Sequence, residues 1–259
     1  MKEHTAMLED LKKLGVKEGG YLLVHSSYKS LGPSINGIEQ VITTLRAAIG
    51  TEGTLLFPAL SYQYVNADSP YFDIKNTPSS KGIGVIPEWF RKQPGVLRSM
   101  SPTHSVSAIG PGAKAITTGH ELDDTPVGPN SPFRKLRDLG GQILMLGCGL
   151  TPSTSMHGVE ELAPPPYLFR ETITYTCTDW DGTTKKIAAR RHNFGDSVVQ
   201  RYDRLKYILP ENVLKSGPVL DADCYLIEAK PMWDIAEAVL REDPLFFVDG
   251  YNHTFMSCQ

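Results

Sequence analysis

Tyr21-Leu22-Leu23-Val24, then the helical spacing of Ile38 to Ile49, then Thr54-Leu55-Leu56-Phe57 set out a strand, a helix and a second strand. With Leu8, Leu11 and Leu14 at helical spacing just before them, the first half of the chain alternates helix and strand. That rhythm points to an α/β protein with a parallel sheet and helices on its faces. Residues 58–80 are rich in Pro, Asn, Asp, Ser and Tyr and show no period. A loop of that length inside a folded unit is more often functional than accidental, so it is expected on the substrate side.

Farther along, a helix is expected over Val85 to Arg91, a short strand over Val106 to Ile109, a short helix near Ala113 to Thr117 and a second loop over Gly119 to Ser131. Pro132 occupies a helix N1 position ahead of Phe133 to Leu139, and the apolar run Gln142 to Leu146 follows as a buried strand. Ile173, Tyr175 and Cys177 alternate with threonines through Glu171 to Thr178. Asp181-Gly182 gives a type I′ turn signal, and Thr183 to Ala189 returns, so a β-hairpin is inserted at about residues 170–190. The remainder reads as a helix over Asp196 to Leu209, strand material around Val219 to Ala229 and a last helix over Met232 to Arg241. Without an internal repeat, low-complexity tract or linker, residues 1–259 are expected to form one elaborated domain.

Composition narrows the function classes. Cys148, Cys177, Cys224 and Cys258 form no CxxC pair, which argues against both a zinc site and a disulfide framework and favours reduced thiols in a cytoplasmic setting. Met1 to Asp10 has no apolar signal region, no run approaches membrane-spanning length, and so no membrane partner is expected. The sequon Asn252-His253-Thr254 then has no consequence. A net charge of −3 with mixed signs and no basic stripe excludes nucleic acid and is compatible with a cationic substrate. The sequence carries no signal of oligomeric state.

Three stretches hold groups fit for chemistry. Ile143 to Leu146 ends in Gly147-Cys148-Gly149 and leads to Ser155-Met156-His157-Gly158-Val159-Glu160-Glu161. His157 and Glu160 share a helix face at i and i+3, where the carboxylate can steady or polarise the imidazole while Thr154 or Ser155 caps the first turn. The arrangement reads as a catalytic dyad. The alternative is a solvated, weakly paired histidine.

The second stretch, His25-Ser26-Ser27-Tyr28-Lys29-Ser30-Leu31-Gly32, ends the first strand with hydroxyls and backbone amides ahead of a helix. It fits an anion site for phosphate or pyrophosphate, or an ordinary connection with capping serines. The third, Ser101 to Gly110, places His104 among small hydroxyl residues, as a pocket-shaping buried histidine or a chemical group. A GxSxG elbow and a Walker A motif are missing, Pro152 stands where the dinucleotide fingerprint needs its third Gly, and the second histidine of a zinc protease motif is absent.

In order, HSSYKSLG (25–32), LLFPALSY (55–62), SPTHSVSAIG (101–110), VGPNSPFRKL (127–136), ILMLGCG (143–149) and TSMHGVEE (154–161) resemble the aminoglycoside 3-N-acetyltransferase family, with similarity over roughly residues 5–230. The resemblance implies a three-layer α/β/α fold with a mostly parallel or mixed central sheet and acetyl-CoA as cosubstrate, without a metal. It implies that the HSS and THSVS segments cradle coenzyme A near Ser26, Ser27, Ser30, Gly32, His104, Ser105 and Ser107. His157 and Glu160 match the family's H-x-x-E element, with the histidine as base, and Asp196 matches an acidic position facing the amine.

Such an enzyme has the amine attack acetyl-CoA directly in a ternary complex, and a ping-pong route through an acyl-cysteine is less favoured. An aminoglycoside is a polycation, so loop acids, chiefly Asp68, Glu161 and Asp196 among a wider set with Asp73, Glu121, Asp123 and Asp124, are the expected substrate ligands. The alternatives are an N-acyltransferase for a different amine, a non-catalytic coenzyme A-binding protein, and a thioesterase-like hydrolase.

Overall fold

The computed structural model describes residues 2–33, 35–194 and 198–251. Its first half contains α1 (Lys2–Leu14), β1 (Tyr21–Ser26), α2 (Ile38–Ile49), β2 (Thr54–Pro58), β3 (Tyr71–Asp73), α3 (Val85–Phe90), β4 (Leu97–Arg98), β5 (Val106–Ile109) and α4 (Ala113–Thr117). The second half adds α5 (Pro132–Asp138), β6 (Gln142–Leu146), α6 (Ser155–Leu162), β7 (Phe169–Thr178), β8 (Thr184–His192), β9 (Val199–Gln200), α7 (Leu205–Ile208), β10 (Leu214–Val219), β11 (Ala222–Glu228), α8 (Ala229–Glu242) and β12 (Val248–Asp249). No helix among the described residues is long and apolar enough to cross a membrane.

The central sheet is mixed, in the order β10-β11-β6-β1-β2-β5-β4. β6, β1 and β2 run parallel at its centre, while β11 and β10 on one side and β5 and β4 on the other pair antiparallel. Side-chain alternation divides the core into two layers. Leu22, Val24, Leu55, Phe57, Leu144 and Leu146 face the layer built with α1, α2 and α3. Leu23, Leu56, Ile143 and Met145 face the layer built with α4, α5, α6 and α8.

Local signals explain the helix ends. α2 buries Val41, Ile42, Leu45, Ala48 and Ile49 at helical spacing and stops at Gly50, whose φ of 69° is the left-handed exit that glycine adopts without strain. Ser131 caps α5, its side chain accepting from the Phe133 and Arg134 amides, with Pro132 in the first turn.

The inserted hairpin is β7 and β8, joined on its outer side by β3 in a separate three-stranded sheet with its own small core of Phe72, Tyr175, Cys177 and Ile187. Its turn is longer than the two-residue type I′ form expected. Residues 179–183 connect the strands, Gly182 alone has a positive φ, and Asp181 Oδ1 accepts from the Thr183 amide and hydroxyl. The expected helix over Asp196 to Leu209 is also corrected. Residues 199–200 form β9, paired antiparallel with β12, and the helix that follows covers only Leu205–Ile208. Asp196 itself lies outside the described residues.

Candidate active site

The parallel strands β6, β1 and β2 end at one edge of the sheet, the place where α/β sheets bind ligands. β6 leaves that edge through Gly147, with φ 70°, where an added Cβ would stand 2.7 Å from the Ser30 Cβ, so only glycine allows the turn. The chain then enters α6. Met156 and Val159 of α6 point into the core, Glu160 is fully buried, and His157 is left on the face that opens to a cleft. Thr154 sits at the N-cap position without a side-chain cap bond, so the cap expected from Thr154 or Ser155 is not formed.

Other segments converge on the same edge. Thr103 and His104 precede β5, whose antiparallel course starts where β2 ends. His192 closes β8 of the hairpin, and Gln200 is delivered by β9. The cleft they share is about 450 Å³, and its walls include Tyr62, Asn66, Thr103, His104, Thr154, His157, Arg170, Arg191, His192, Phe194 and Gln200. No Asp or Glu is among its described lining residues.

Three imidazoles stand together, with ring centroids 5.4 Å apart for His104 and His157, 5.0 Å for His104 and His192, and 5.4 Å for His157 and His192. The Phe194 ring lies 4.4 Å from that of His157. One set of tautomers satisfies the hydrogen-bond contacts of His104 and His157. The Gln200 amide nitrogen lies 3.3 Å from His157 Nε2, so Nε2 is the acceptor and Nδ1 carries the proton. His157 Nδ1 then donates to His104 Nε2 at 3.3 Å, and His104 Nδ1 donates to the Thr103 hydroxyl at 2.9 Å. Burial, followed by the neighbouring imidazoles, holds His104 and His157 well below the usual histidine range, and both are neutral at pH 7.

The expected contact between His157 and Glu160 is not made. Glu160 accepts from Tyr167 at 2.6 Å and from Tyr202 at 2.8 Å, and burial raises its pKa to about 7. Gln200 donates to the Tyr202 hydroxyl at 3.1 Å as well as facing His157, so the carboxylate reaches the imidazole through two intervening side chains. The i, i+3 spacing makes the contact possible, but here the carboxylate is turned into the core toward Tyr167 and Tyr202.

Glu161 also differs from its expected role as a substrate ligand. Its side chain is 3% exposed and fully engaged, with Oε1 accepting from the Val127 amide at 2.8 Å and from His192 Nε2 at 2.7 Å, and Oε2 from Thr125 at 2.6 Å. Asp68 is exposed in a turn organised by Asn66, and it is Asn66 rather than Asp68 that lines the cleft. Ser105 and Ser107 have no exposure and cannot touch a coenzyme. Ser105 donates to Ala59 O and accepts from Arg98 Nε, both at 2.8 Å, because it belongs to the seam between β2 and β5. His104 of the same segment does line the cleft.

Ser26, Ser27, Ser30 and Gly32 gather at the end of β1 outside the cleft. Ser30 donates to the Ser27 hydroxyl at 2.8 Å, and Gly32 backs onto Asp221. Cys148, which falls within one of the matched stretches, has its thiol pushed up to about 12 by burial, so it holds no thiolate for acyl transfer at neutral pH. His192, Gln200, Tyr167 and Tyr202 were not singled out by sequence. The one available signal was the second acid of the Glu160-Glu161 pair, which turns out to serve His192.

A family profile described as aminoglycoside 3-N-acetyltransferase matches residues 23–241. Aminoglycoside N(3)-acetyltransferase IV from Salmonella sp is 34% identical over 244 residues, covering 93% of this chain and 88% of that protein. Among solved structures, aminoglycoside acetyltransferase AAC(3)-IVa as apoenzyme superposes with a TM-score of 0.78 at 32% identity, over 94% of this chain and 90% of that one. AAC-IIIb bound to CoASH gives 0.80 at 28% identity, over 92% and 96%. With the profile matched over most of its length and a relative a third identical across nearly all of both chains, this chain belongs to the aminoglycoside 3-N-acetyltransferase family.

Proposed function

We propose that this protein transfers the acetyl group of acetyl-CoA to the 3-amino group of an aminoglycoside, with His157 taking the proton of the attacking amine. The observation that carries this reading is a neutral imidazole on the cleft wall whose Nδ1 proton is directed to His104, leaving Nε2 as the acceptor nitrogen, where the Gln200 amide now occupies the place the amine N–H would take. The amine nitrogen attacks the thioester carbonyl, a C–N bond forms and the oxyanion collapses. The C–S bond breaks, and the proton accepted by His157 passes to the departing thiolate. The raised thiol pKa of Cys148 supports direct attack over an acyl-enzyme.

Arg170 and Arg191 are the cations among the described lining residues, and with Arg191 already paired to Glu171 it is Arg170 that we assign to the donor phosphates. The Ser26, Ser27, Ser30 and Gly32 turn at the same sheet edge is a second anion-binding element. Glu160 acts as a positioning residue through Tyr202 and Gln200. Because α6, packed on the main sheet, supplies His157 and the hairpin supplies His192 to one cleft, the sheet and the hairpin are read as parts of one domain.

One observation favours a second reading, an acetyltransferase for an amine of lower charge: the described cleft wall carries two arginines and no carboxylate, a poor match for a polycation. Thiol release from acetyl-CoA decides between them, measured with aminoglycosides that carry or lack a free 3-amino group and with simple monoamines. Release confined to 3-amino acceptors supports the first reading, release confined to monoamines the second, and release without any amine refutes both in favour of hydrolysis.

A further inference from the structure

We propose that His104, His157 and His192 form a three-imidazole site for a borderline divalent transition ion such as Zn²⁺ or Co²⁺, and that this ion and the amine acceptor exclude one another at His157. One ring nitrogen from each histidine lies within 4.8 Å of the other two. His104 Nε2 and His157 Nδ1 are 3.3 Å apart. Two imidazole nitrogens bound to one tetrahedral ion at about 2.0–2.1 Å stand roughly that far from each other.

The third ligand is oriented from behind. His192 Nε2 donates to Glu161 at 2.7 Å, which leaves Nδ1 as the lone-pair nitrogen, and that atom is buried with no hydrogen-bond partner among the described residues. A carboxylate on the far nitrogen of an imidazole is the arrangement that fixes a metal-binding tautomer and raises its basicity. Thr103 plays the same part for His104 by accepting from Nδ1. Acetyl transfer as proposed uses neither the orphaned Nδ1 of His192 nor its carboxylate partner, so the pair is unexplained by that chemistry. The site requires the His192 ring to turn about its Glu161 anchor so that Nδ1 joins the other two nitrogens, with a fourth position left to water or ligand as at open metal sites. An all-nitrogen set selects Zn²⁺ or Co²⁺ over Mg²⁺ and Ca²⁺, which take oxygen ligands.

Exclusion follows from the proton count of one ring and rests on the reading of His157 as base. As base, His157 carries its proton on Nδ1 and accepts on Nε2. An ion on Nδ1 forces that proton to Nε2, and the acceptor is lost.

The test is a titration of chelator-stripped full-length protein with Co²⁺, followed by its visible absorption, together with thiol release in the same samples. One equivalent of Co²⁺ is expected to give the intense bands of a low-coordinate imidazole site, displaced by Zn²⁺ and untouched by Mg²⁺. His192→Ala and His104→Ala, each checked for native circular dichroism, are expected to weaken Co²⁺ binding at least tenfold, and Glu161→Gln by about 10–100-fold. Turnover is expected to fall in proportion to bound Co²⁺ and to return with chelator. Absence of the bands, or bands unchanged in folded His192→Ala and His104→Ala, overturns the site, and full turnover at full occupancy overturns the exclusion. If metal-free protein turns over no amine, the acetyltransferase reading fails while the Co²⁺ spectrum still decides the site.

Discussion

His157 and Glu160 are one helical turn apart, yet the carboxylate reaches the imidazole only through Tyr202 and Gln200. Removing the imbedded base itself has the larger effect: His157→Ala is expected to lower kcat by about 10²–10⁴-fold with coenzyme affinity retained, measured by steady-state kinetics and calorimetry. Near-normal turnover would remove His157 from the chemistry. Tyr202→Phe deletes one donor to the buried Glu160 and the acceptor for Gln200, which leaves polar atoms unpaired at a cost of about 1–3 kcal/mol. Its kcat should fall less than that of His157→Ala, with the loss of stability read from urea unfolding. Unchanged stability would show that the relay carries no load. His157 was legible because a buried strand, a glycine turn and a histidine are neighbours in sequence. The partners of the two acids were not, since Tyr202 lies 42 residues from Glu160 and His192 lies 31 from Glu161, and only the fold brings them together.

At the scale of elements, the position of α6 depends on Gly158. A Cβ there would meet Trp233 Cη2 of α8 at 2.1 Å and Val127 Cγ1 at 2.6 Å, so the glycine lets the helix that carries His157 lie flush against its neighbours. Gly158→Ala is expected to destabilise by about 1–3 kcal/mol and, by displacing His157, to lower kcat by about 10²-fold, measured by thermal unfolding and kinetics. A wild-type melting temperature and kcat would show that Trp233 yields freely. The loop of residues 58–80 is held differently. Buried Arg98 donates to Ala59 O, Thr77 O and the Ser61 and Ser105 hydroxyls at 2.6–2.8 Å, and lies 4.9 Å from the Phe72 ring. Arg98→Met leaves Thr77 O without its donor, removes one partner each from Ala59 O, Ser61 and Ser105, and is expected to cost on the order of 3 kcal/mol. Because the loop brings Tyr62 and Asn66 to the cleft, KM should rise more than kcat falls. Elements with strong local signals were legible to the residue, α2, β5 and α4 among them. The stretch after residue 196 was misread as helix because β9 exists only through pairing with β12 near the end of the described chain, and two-residue strands leave no periodic trace.

Across the whole molecule, the two core layers and the mixed sheet between them keep several histidines uncharged, and this sets the response to acid. His25 lies next to the end of β1, buried and with Nε2 unpartnered among the described residues, and burial lowers its pKa to about 4. His120 is buried between the Ser99 hydroxyl at 2.9 Å and Pro126 O at 3.1 Å. Burial again outweighs the Pro126 bond and holds it at about 4. In the unfolded chain both titrate near 6.5, so between pH 6.5 and 4 the unfolded state binds protons that the folded state refuses, and stability falls as pH falls through that window. Each group accounts for about 3 kcal/mol of lost stability by pH 4, a large share of the roughly 5–15 kcal/mol that holds a domain together. Glu88 acts in a lower window. Burial opposes its charge, but hydrogen bonds from Arg91, Lys92 and the Ser79 amide prevail and hold it at about 2, so its stabilisation is complete above its unfolded value near 4.5 and fades only below that. The unfolding free energy from urea titrations is therefore expected to drop between pH 6.5 and 4.5, with Glu160, whose buried carboxyl titrates at about 7 and so takes up a proton in the folded state before the unfolded one does, offsetting the share of about one histidine. His120→Gln, whose amide can accept from Ser99 and donate to Pro126 O without titrating, should flatten the slope by its own share. A pH-independent unfolding free energy in that window would mean that the buried imidazoles take up protons in the folded state, and the neutral site on which acetyl transfer depends would then have to be protonated as well.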